Sequence, residues 1–360
     1  MLCPDHTRIE RLASEVLGHC GSCLSEREEL TLSALAKHEQ LRKTARLVGI
    51  VARDGKVVCG ECGNHCRLDE GETGFCGLRH ASGGSIAETF PGRAIVSWYF
   101  DPIPTNCTAG WVCAVSQERR LNRPNERWNN LAVFYGSCNS DCFYCQNPSH
   151  KEMTVARRPL MTPEELAGAV DSKTACVCYF GGDPGCNAEH SLSTSALIRE
   201  KLDIPVCYET NGNISHKNLD RIAEVVLRSH GTLKFDLKAF NPNLYRALTG
   251  VSNKTVLRNF RHMAKIGRMR DHQFLVASIL LVPGYVGVSE TEHLCRFIAE
   301  CDVTIPTVLL GFYPHNHMRD LPRTSRRHAY ECRKAAEAAG LTNVRIGNIG
   351  LLSQEEYNNE

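Results

Sequence analysis

The stretch LAVFYGSCNSDCFYCQN (residues 131–147) joins an apolar run to a loop with three cysteines, called the three-cysteine loop below. Cys138, Cys142 and Cys145 cannot all pair with one another as disulfides. A C-x3-C-x2-C loop can bind three irons of a cubane cluster, because thiolates are the natural ligands of iron–sulfur centres. The fourth iron then lacks a protein ligand, as is typical of catalytic metal sites. The spacing favours this interpretation over a zinc site completed by His150 or a distant cysteine.

The chain from about residue 130 alternates short apolar strands with helical stretches, for example ACVCYFGG (175–182) and HKNLDRIAEVVLRS (216–229). Such alternation predicts a parallel sheet with right-handed crossovers. Six or seven such units predict an α/β fold, a partial or full parallel (β/α) barrel. The chemistry of a barrel lies at the carboxyl ends of its strands, and the three-cysteine loop follows the first strand of the series.

The composition divides the chain into four segments. The first is rich in Leu, Ala, Glu, Arg and Lys, and predicts two helices broken at GHCGSC (18–23). The second begins with clustered cysteines and continues as an irregular wrapping stretch from 81 to 129. The predicted segments are a helical one (1–50), a cysteine-rich metal-binding and wrapping one (51–129), the barrel (130–350) and a C-terminal tail (351–360).

The charge and cysteine totals limit the class of protein. The 42 Lys and Arg against 40 Asp and Glu give a net charge of +2, which argues against a nucleic-acid partner. No apolar run reaches the roughly 18 residues that span a bilayer, and the N-terminus lacks a signal-peptide core. We therefore expect a cytoplasmic protein. The 19 cysteines then indicate metal sites where they cluster and small buried hydrophobes where they are scattered, as at Cys107 and Cys178.

Further motifs behind the three-cysteine loop make the chain recognisable. The aromatic pair Phe143-Tyr144 before the last loop cysteine is typical of radical S-adenosylmethionine (SAM) enzymes, and the sequence resembles their pyruvate formate-lyase-activating-enzyme branch over roughly 130–350. The motifs that carry the resemblance are FGGDPG (180–185), YETNG (208–212), FDLKAFNPNLYRALTGVSNKTVLRN (235–259), LLVPG (280–284) and RIGN (345–348).

The resemblance implies roles for individual residues. The cysteines of the loop would bind a 4Fe-4S cluster, with SAM on the open iron and Tyr144 beside it. Gly181, Gly182 and Asp183 would meet the SAM amino group. Lys238 would neutralise the SAM carboxylate. Glu209, Thr210 and Asp236 would form a cation site near the SAM sulfur. Ser278 stands where the family has an arginine that contacts SAM. His315 or His317 would supply that contact instead.

The implied reaction is a one-electron cleavage of SAM. A low-potential donor of ferredoxin or flavodoxin type would reduce the cluster, which passes the electron to the SAM sulfonium. The resulting 5′-deoxyadenosyl radical would abstract hydrogen from the substrate, while the protein positions the cofactor and excludes water. Whether SAM is consumed or regenerated does not follow from the motifs.

A second cysteine set lies in VVCGECGNHCRLDEGETGFCGLR (57–79). Its C-x2-C-x3-C-x9-C spacing can close a tetrahedral metal site, with zinc slightly preferred over an auxiliary iron–sulfur cluster. This stretch resembles the radical SAM enzymes found with the Memo and AMMECR1 proteins, although Gly63 replaces the usual proline. The members of the second cysteine set are Cys59, Cys62, Cys66 and Cys76.

A third group of cysteines precedes both sets. Cys3, Cys20 and Cys23, with either His6 or His19, can form a further metal site. Only the C-x2-C pair is tightly spaced, so the sequence leaves open whether these residues bind metal.

The leading hypothesis is a cytoplasmic radical SAM enzyme related to glycyl-radical-enzyme activases, which abstracts hydrogen from a protein glycine or another unactivated C–H bond. The enzymatic alternative is radical SAM modification of a lipid, peptide or cofactor precursor, which Ser278 and the additional N-terminal segment favour. The non-enzymatic alternative is a metal-binding redox scaffold, which would not need the GGDP, ETNG and DLK motifs together.

Overall fold

The structure is a computed structural model that describes residues 1–9, 11–50, 54–103, 107–113, 115, 127–268 and 274–357. Within these ranges, thirteen strands form one large sheet and two small hairpin sheets. They are β1 (Val57–Val58), β2 (Arg67–Leu68), β3 (Arg79–Ser82), β4 (Ser85–Glu88), β5 (Ala94–Pro102), β6 (Asn129–Tyr135), β7 (Leu160–Met161), β8 (Thr174–Phe180), β9 (Val206–Thr210), β10 (Leu233–Asp236), β11 (Leu275–Leu281), β12 (Thr307–Gly311) and β13 (Val344–Ile346).

Helices connect the strands of the large sheet and form most of the N-terminal segment. They are α1 (Gly21–Glu26), α2 (Glu28–Thr44), α3 (Ser149–Ala156), α4 (Pro163–Ala167), α5 (Ala188–Lys201), α6 (His216–Arg228), α7 (Pro242–Thr249), α8 (Lys254–Gly267), α9 (Val288–Cys301) and α10 (Arg326–Ala338). None of the helices in the described ranges has the length and apolar character needed to cross a bilayer.

The large sheet is the predicted parallel one. Strands β6 and β8 to β13 pair in parallel and in chain order, each joined to the next through at least one helix. The strands are nearly continuous apolar runs, such as TACVCYF in β8 and LVASILL in β11, because helices cover their outer face. The edges of the sheet are β13 and β7, so the barrel is partial rather than full.

The wrapping stretch is more regular than the sequence predicts. The prediction of an irregular chain from 81 to 129 is wrong for β4, which pairs with β3, and for β5, a nine-residue strand that pairs antiparallel with β6. Its sequence AIVSWYFDP contains β-branched and aromatic residues that favour strands. Residues 104–106, 114 and 116–126 of this stretch lie outside the described part of the chain.

The N-terminal segment departs from its predicted helices. The break falls at Arg27, which has an extended backbone between α1 and α2, and not across GHCGSC. The apolar residues Leu12, Val16 and Leu17 are not helical. Leu2 instead bridges Leu12 in antiparallel fashion, and the backbone N–H of Cys3 donates to the carbonyl of Arg11 at 2.8 Å. This long-range pairing overrides the local helical spacing.

Candidate functional site

The carboxyl ends of strands β6, β8, β9, β10 and β11 meet at one cavity of about 360 Å³. This is the edge at which a parallel barrel places its chemistry. The structure brings most of the sequence-predicted residues to its wall. These residues are Cys138, Cys142, Cys145, Tyr144, Gly181, Gly182, Asp183, Glu209, Thr210, Asp236, Lys238 and Ser278.

The three-cysteine loop is fixed by hydrogen bonds to the neighbouring turns. Asn139 donates from Nδ2 to the carbonyl of Asn213 at 2.6 Å and accepts at Oδ1 from Nδ2 of Asn211 at 2.7 Å. The backbone N–H of Asp141 donates to the carbonyl of Thr249 at 2.8 Å. The loop is therefore held before any ligand arrives, which orients its thiols toward the cavity.

The spacing of the loop thiols fits a cluster better than a single ion. Among the described residues, Cys138, Cys142 and Cys145 do not form a group whose ligand atoms all lie within 4.8 Å of one another. Four ligands of one zinc would lie about 3.8 Å apart, since each Zn–S bond is about 2.3 Å. His150 donates from Nδ1 to the carbonyl of Asn147 at 2.8 Å, and burial lowers its pKa to about 4. The loop thiols thus favour iron–sulfur over zinc.

Asp141, between the first two loop cysteines, is the buried centre of a charge cluster. His38 Nδ1 lies 2.8 Å from Oδ2, Lys151 Nζ lies 2.7 Å from Oδ1, and Arg42 Nη1 lies 3.5 Å from Oδ1. Burial alone would raise the pKa of Asp141, but these partners hold it well below its ordinary value. The carboxylate therefore stays charged and ties the three-cysteine loop to α2 and α3.

The glycine-rich turn after β8 admits no side chain at its second glycine. Gly182 has φ +56°, and a Cβ there would lie 2.3 Å from the carbonyl oxygens of Ser137 and Tyr135. The adjacent Asp183 is 2% exposed, and burial raises its pKa to about 6. The close approach leaves backbone groups at the cavity wall where a side chain would otherwise stand.

Asp183 and Thr210 were predicted to share the SAM site, and the structure joins them directly. The Thr210 hydroxyl donates to Asp183 Oδ1 at 3.0 Å, and the backbone N–H of Asn211 donates to Oδ2 at 2.7 Å. The backbone N–H of Gly185 adds a third hydrogen bond at 2.8 Å. The carboxylate thus links the ends of β8 and β9.

The end of β10 places a charged pair on the cavity wall. Lys238 Nζ lies 3.5 Å from Asp236 Oδ2, and the Ser278 hydroxyl donates to Asp236 Oδ1. Burial lowers the pKa of Lys238, but the charges of Cys142 and Asp236 outweigh it and raise the pKa well above its ordinary value. Lys238 is therefore a fixed cation near the loop thiols, and Ser278 contacts Asp236.

Lys234 lies behind the cavity wall, where it contacts the lining residues Glu209 and Cys107, and the sequence motifs did not single it out. Its side chain is fully buried, with Nζ 3.1 Å from Glu209 Oε2 and 3.1 Å from each of the Cys107 and Cys178 sulfurs. The interpretation of those two cysteines as plain hydrophobes was incomplete, since both accept hydrogen bonds from a cation. The available signal was the position of Lys234 two residues before Asp236 in β10, because strand residues two apart face the same side.

Two further predicted SAM contacts differ in position. Tyr144 lines the cavity, and its buried hydroxyl has no hydrogen-bond partner among the described residues. A buried hydrogen-bond donor without a partner lowers the stability of the fold. This hydroxyl therefore fits a site in which a bound polar ligand supplies the missing hydrogen bond. His315 is not among the described residues that line the cavity, and remains a prediction. His317 packs its ring edge against Phe143, behind the loop.

The second cysteine set lines a second, smaller cavity beside the three-cysteine loop. Asn139 of that loop is also on its wall, as is Cys186. No three thiols of the set lie within 4.8 Å of one another in the described chain, so the set does not have the spacing of a single tetrahedral ion. The residues of the second cysteine set on this wall are Cys59, Cys62, Cys66 and Cys76.

The strands and loops that build the large cavity match a known protein family. Residues 132–298 match the Radical SAM superfamily. This stretch is a radical SAM domain. The match begins inside β6 and ends in α9, so it includes the three-cysteine loop, the glycine-rich turn and the ends of β9 to β11. A radical SAM domain implies a 4Fe-4S cluster and SAM as cofactors.

The radical SAM domain has relatives whose names describe activating enzymes. The chain is 26% identical to an uncharacterized protein of Methanocaldococcus jannaschii over 301 residues, 82% of each chain. It is 27% identical to the pyruvate formate-lyase-activating enzyme of Streptococcus mutans over 151 residues, 38% of this chain and 55% of that enzyme. It is 28% identical over 187 residues, 51% of this chain and 67% of the relative, to an M. jannaschii protein named for activating a glycyl-radical enzyme. The chain thus spans about half of the S. mutans enzyme.

Proposed function

We propose that this radical SAM enzyme acts as an activase, abstracting hydrogen from a glycine of a partner protein. The observation that carries the proposal is the shared cavity, where the thiols of the three-cysteine loop face the glycine-rich turn and the Lys238–Asp236 pair. The names of the S. mutans and M. jannaschii relatives support a protein substrate.

Different residues of the cavity would bind the cluster and SAM. Cys138, Cys142 and Cys145 would bind three irons and leave the fourth for SAM. When bound, the cluster and SAM supply one-electron chemistry that ends in hydrogen abstraction from a substrate C–H bond. A donor of ferredoxin or flavodoxin type would provide the electron.

The remaining side chains would orient SAM by charge and close approach. Lys238 supplies a cation for the SAM carboxylate, and the backbone at Gly182 lets the amino group approach the chain. Asp183 keeps the turn and the end of β9 together through Thr210. Lys234 already balances Glu209, so a separate cation at that carboxylate is not needed for charge neutrality.

The second cysteine set belongs to the same proposal as a second metal centre. Four thiols around one cavity in a reducing compartment favour metal over free cysteine. Because no three of these described thiols lie within 4.8 Å of one another, we favour an iron–sulfur cluster here over the zinc ion that the spacing along the sequence slightly preferred. The centre would lie next to the three-cysteine loop through Asn139.

The activase proposal is tested with the reconstituted full chain, dithionite and SAM under anaerobic conditions. The probes are pyruvate formate-lyase and any glycyl radical enzymes encoded in the source genome. A glycyl radical signal in electron paramagnetic resonance, lost when Cys138→Ser replaces the wild type, supports the proposal. Formation of 5′-deoxyadenosine with no glycyl radical on any probe would overturn the activase assignment and leave the radical SAM reaction in place.

A further inference from the structure

The N-terminal segment folds four metal-ligating side chains into one cluster outside the large cavity. Among the described residues, this is the group of three or more His, Cys, Asp or Glu whose ligand atoms all lie within 4.8 Å of one another. Its members, called the N-terminal quartet, are Cys3, His6, Cys20 and Cys23.

The segment reaches this arrangement by folding back on itself. The bridge between Leu2 and Leu12 turns the chain so that Cys3 approaches α1. Cys20 immediately precedes α1, and Cys23 lies in its first turn. The sequence left open which histidine joins the cysteines, and the structure selects His6. His19 instead lies 3.4 Å from Asp5 Oδ2.

The distances within the quartet match a tetrahedron of ligands. The Cys23 sulfur lies 3.8 Å from the sulfurs of both Cys3 and Cys20. His6 Nδ1 lies 3.8, 3.3 and 3.4 Å from the sulfurs of Cys3, Cys20 and Cys23. Zn–S bonds of about 2.3 Å and a Zn–N bond of about 2.0 Å require S···S edges of about 3.8 Å and S···N edges of about 3.5 Å. Cluster thiolates lie farther apart, so the quartet fits one ion.

We propose that the N-terminal quartet binds a single Zn²⁺ ion in a closed structural site with a Cys3His ligand set. Four protein ligands leave no open position for a substrate or water, which is the mark of a structural site. The three cysteine residues are at most 4% exposed, so the ion would be shielded from solvent. The site is independent of the proposed reaction, because none of its residues lines the large cavity.

The surroundings of the quartet suit a thiolate-rich zinc site. Asp5 Oδ2 lies 3.7 Å from the Cys23 sulfur and also accepts from Arg27 Nη2. Zinc with three thiolates and one imidazole carries a net negative charge, and the Arg27 guanidinium, paired with Asp5, places a positive charge beside it. Such outer partners orient the ligands of a metal site.

The N-terminal quartet lies beside the contacts that join the N-terminal segment to the loop after β11. The backbone N–H of Gly21 donates to the carbonyl of Gly284 at 2.7 Å, and that of Ser14 donates to the Tyr285 hydroxyl at 2.7 Å. Both acceptors lie in the loop that follows β11. Zinc binding would therefore fix the first 23 residues and α1 against the radical SAM domain, because metal affinity contributes directly to the stability of a small segment.

The test compares zinc content in full-length chains purified from zinc-supplemented medium. Cys23→Ser should lose one zinc per chain relative to the wild type. The matched control is Cys295→Ser, an equally buried thiol in α9, which should lose none. Taking the difference between variants cancels any metal held by the other cysteine sets. Equal zinc content in Cys23→Ser and the wild type would overturn the proposal, as would the loss of iron instead of zinc.

A second variant keeps the test decisive if Cys23→Ser does not fold. His6→Cys preserves a tetrahedral set and should retain the ion. Zinc-edge X-ray absorption should then show one nitrogen neighbour at about 2.0 Å replaced by a sulfur at about 2.3 Å. An unchanged first shell in His6→Cys would show that His6 does not bind the ion and would contradict the assigned ligand set.

Discussion

Nδ1 of His38 lies 2.8 Å from Oδ2 of Asp141, so a side chain of α2 hydrogen-bonds the carboxylate inside the three-cysteine loop, 103 residues later in the chain. The His38 ring also stacks on Phe143 of the same loop, with 3.7 Å between ring centroids. The N-terminal segment therefore supports the radical SAM domain at the loop that we propose binds the cluster.

His38→Ala should lower the free energy of unfolding by about 3 kcal/mol, because it removes a buried hydrogen bond and an aromatic contact and leaves a cavity. Urea denaturation measures the change. Iron content after anaerobic reconstitution should fall as well, since the loop loses the contact that orients it. Gln40→Ala, an exposed position in the same helix, is the control and should change neither quantity. Full iron loading in His38→Ala would show that the contact stabilises the fold without shaping the loop.

Gly182→Ala should abolish SAM cleavage, because a Cβ at this position would meet two carbonyl oxygens at 2.3 Å. Gly83→Ala is a matched control. Gly83 has nearly the same backbone φ, +58°, but no atom lies within 4 Å of the added Cβ. Both variants carry the strain of a left-handed residue, about 1–2 kcal/mol, and only Gly182→Ala adds the steric clash. Equal SAM-cleavage activities of the two variants would contradict the proposal that SAM approaches the turn closely.

Lys238→Met should raise the Kd for SAM about tenfold or more, since a hydrogen bond to a charged group contributes about 1.5–3 kcal/mol. Equilibrium binding to the reconstituted chain measures it. Lys254→Met changes an exposed lysine at the start of α8 and should leave the Kd unchanged. An unaltered Kd in Lys238→Met would mean that the SAM carboxylate binds elsewhere.

The chain should lose stability as the pH falls from about 6.5 toward 4, in part through His328. Burial lowers the pKa of His328 to about 4, while its ordinary value is 6.5. Below pH 6.5 the unfolded chain therefore binds a proton at this histidine that the folded chain does not bind. At pH 5 this difference in proton binding lowers the free energy of unfolding by about 2 kcal/mol relative to neutral pH.

The contribution of His328 is isolated by comparing unfolding of the wild type and His328→Gln at pH 7.5 and pH 5. The loss on acidification should be about 2 kcal/mol smaller in the variant. Other buried histidines, such as His150, contribute equally to both chains and cancel. An identical loss in both chains would show that His328 is protonated in the folded state.

The order of the parallel strands and the position of the cavity could be predicted from sequence. Apolar runs such as the one in β11 mark buried strands, and motifs at their carboxyl ends converge in a barrel. The contacts of Lys234 with Cys107 and Cys178 could not be predicted. The three residues are far apart in the chain, and no local pattern relates them.

In the N-terminal segment, too, local sequence patterns did not predict which residues contact one another. The helical spacing around Leu12 predicted a helix, but pairing with Leu2 decides its conformation. The choice of His6 over His19 likewise depends on that pairing, because both histidines lie near cysteines in the sequence. Local patterns predict the elements, and long-range pairs decide which side chains meet.

The central claim, that this chain cleaves SAM at the three-cysteine loop, is tested most directly by anaerobic turnover. The reconstituted full chain is incubated with dithionite and SAM, and 5′-deoxyadenosine is measured beside a variant with Cys138, Cys142 and Cys145 all changed to Ala. We expect 5′-deoxyadenosine from the wild type and none above background from the variant. A wild-type chain that carries a reduced 4Fe-4S cluster and binds SAM, yet forms no 5′-deoxyadenosine, would contradict the account.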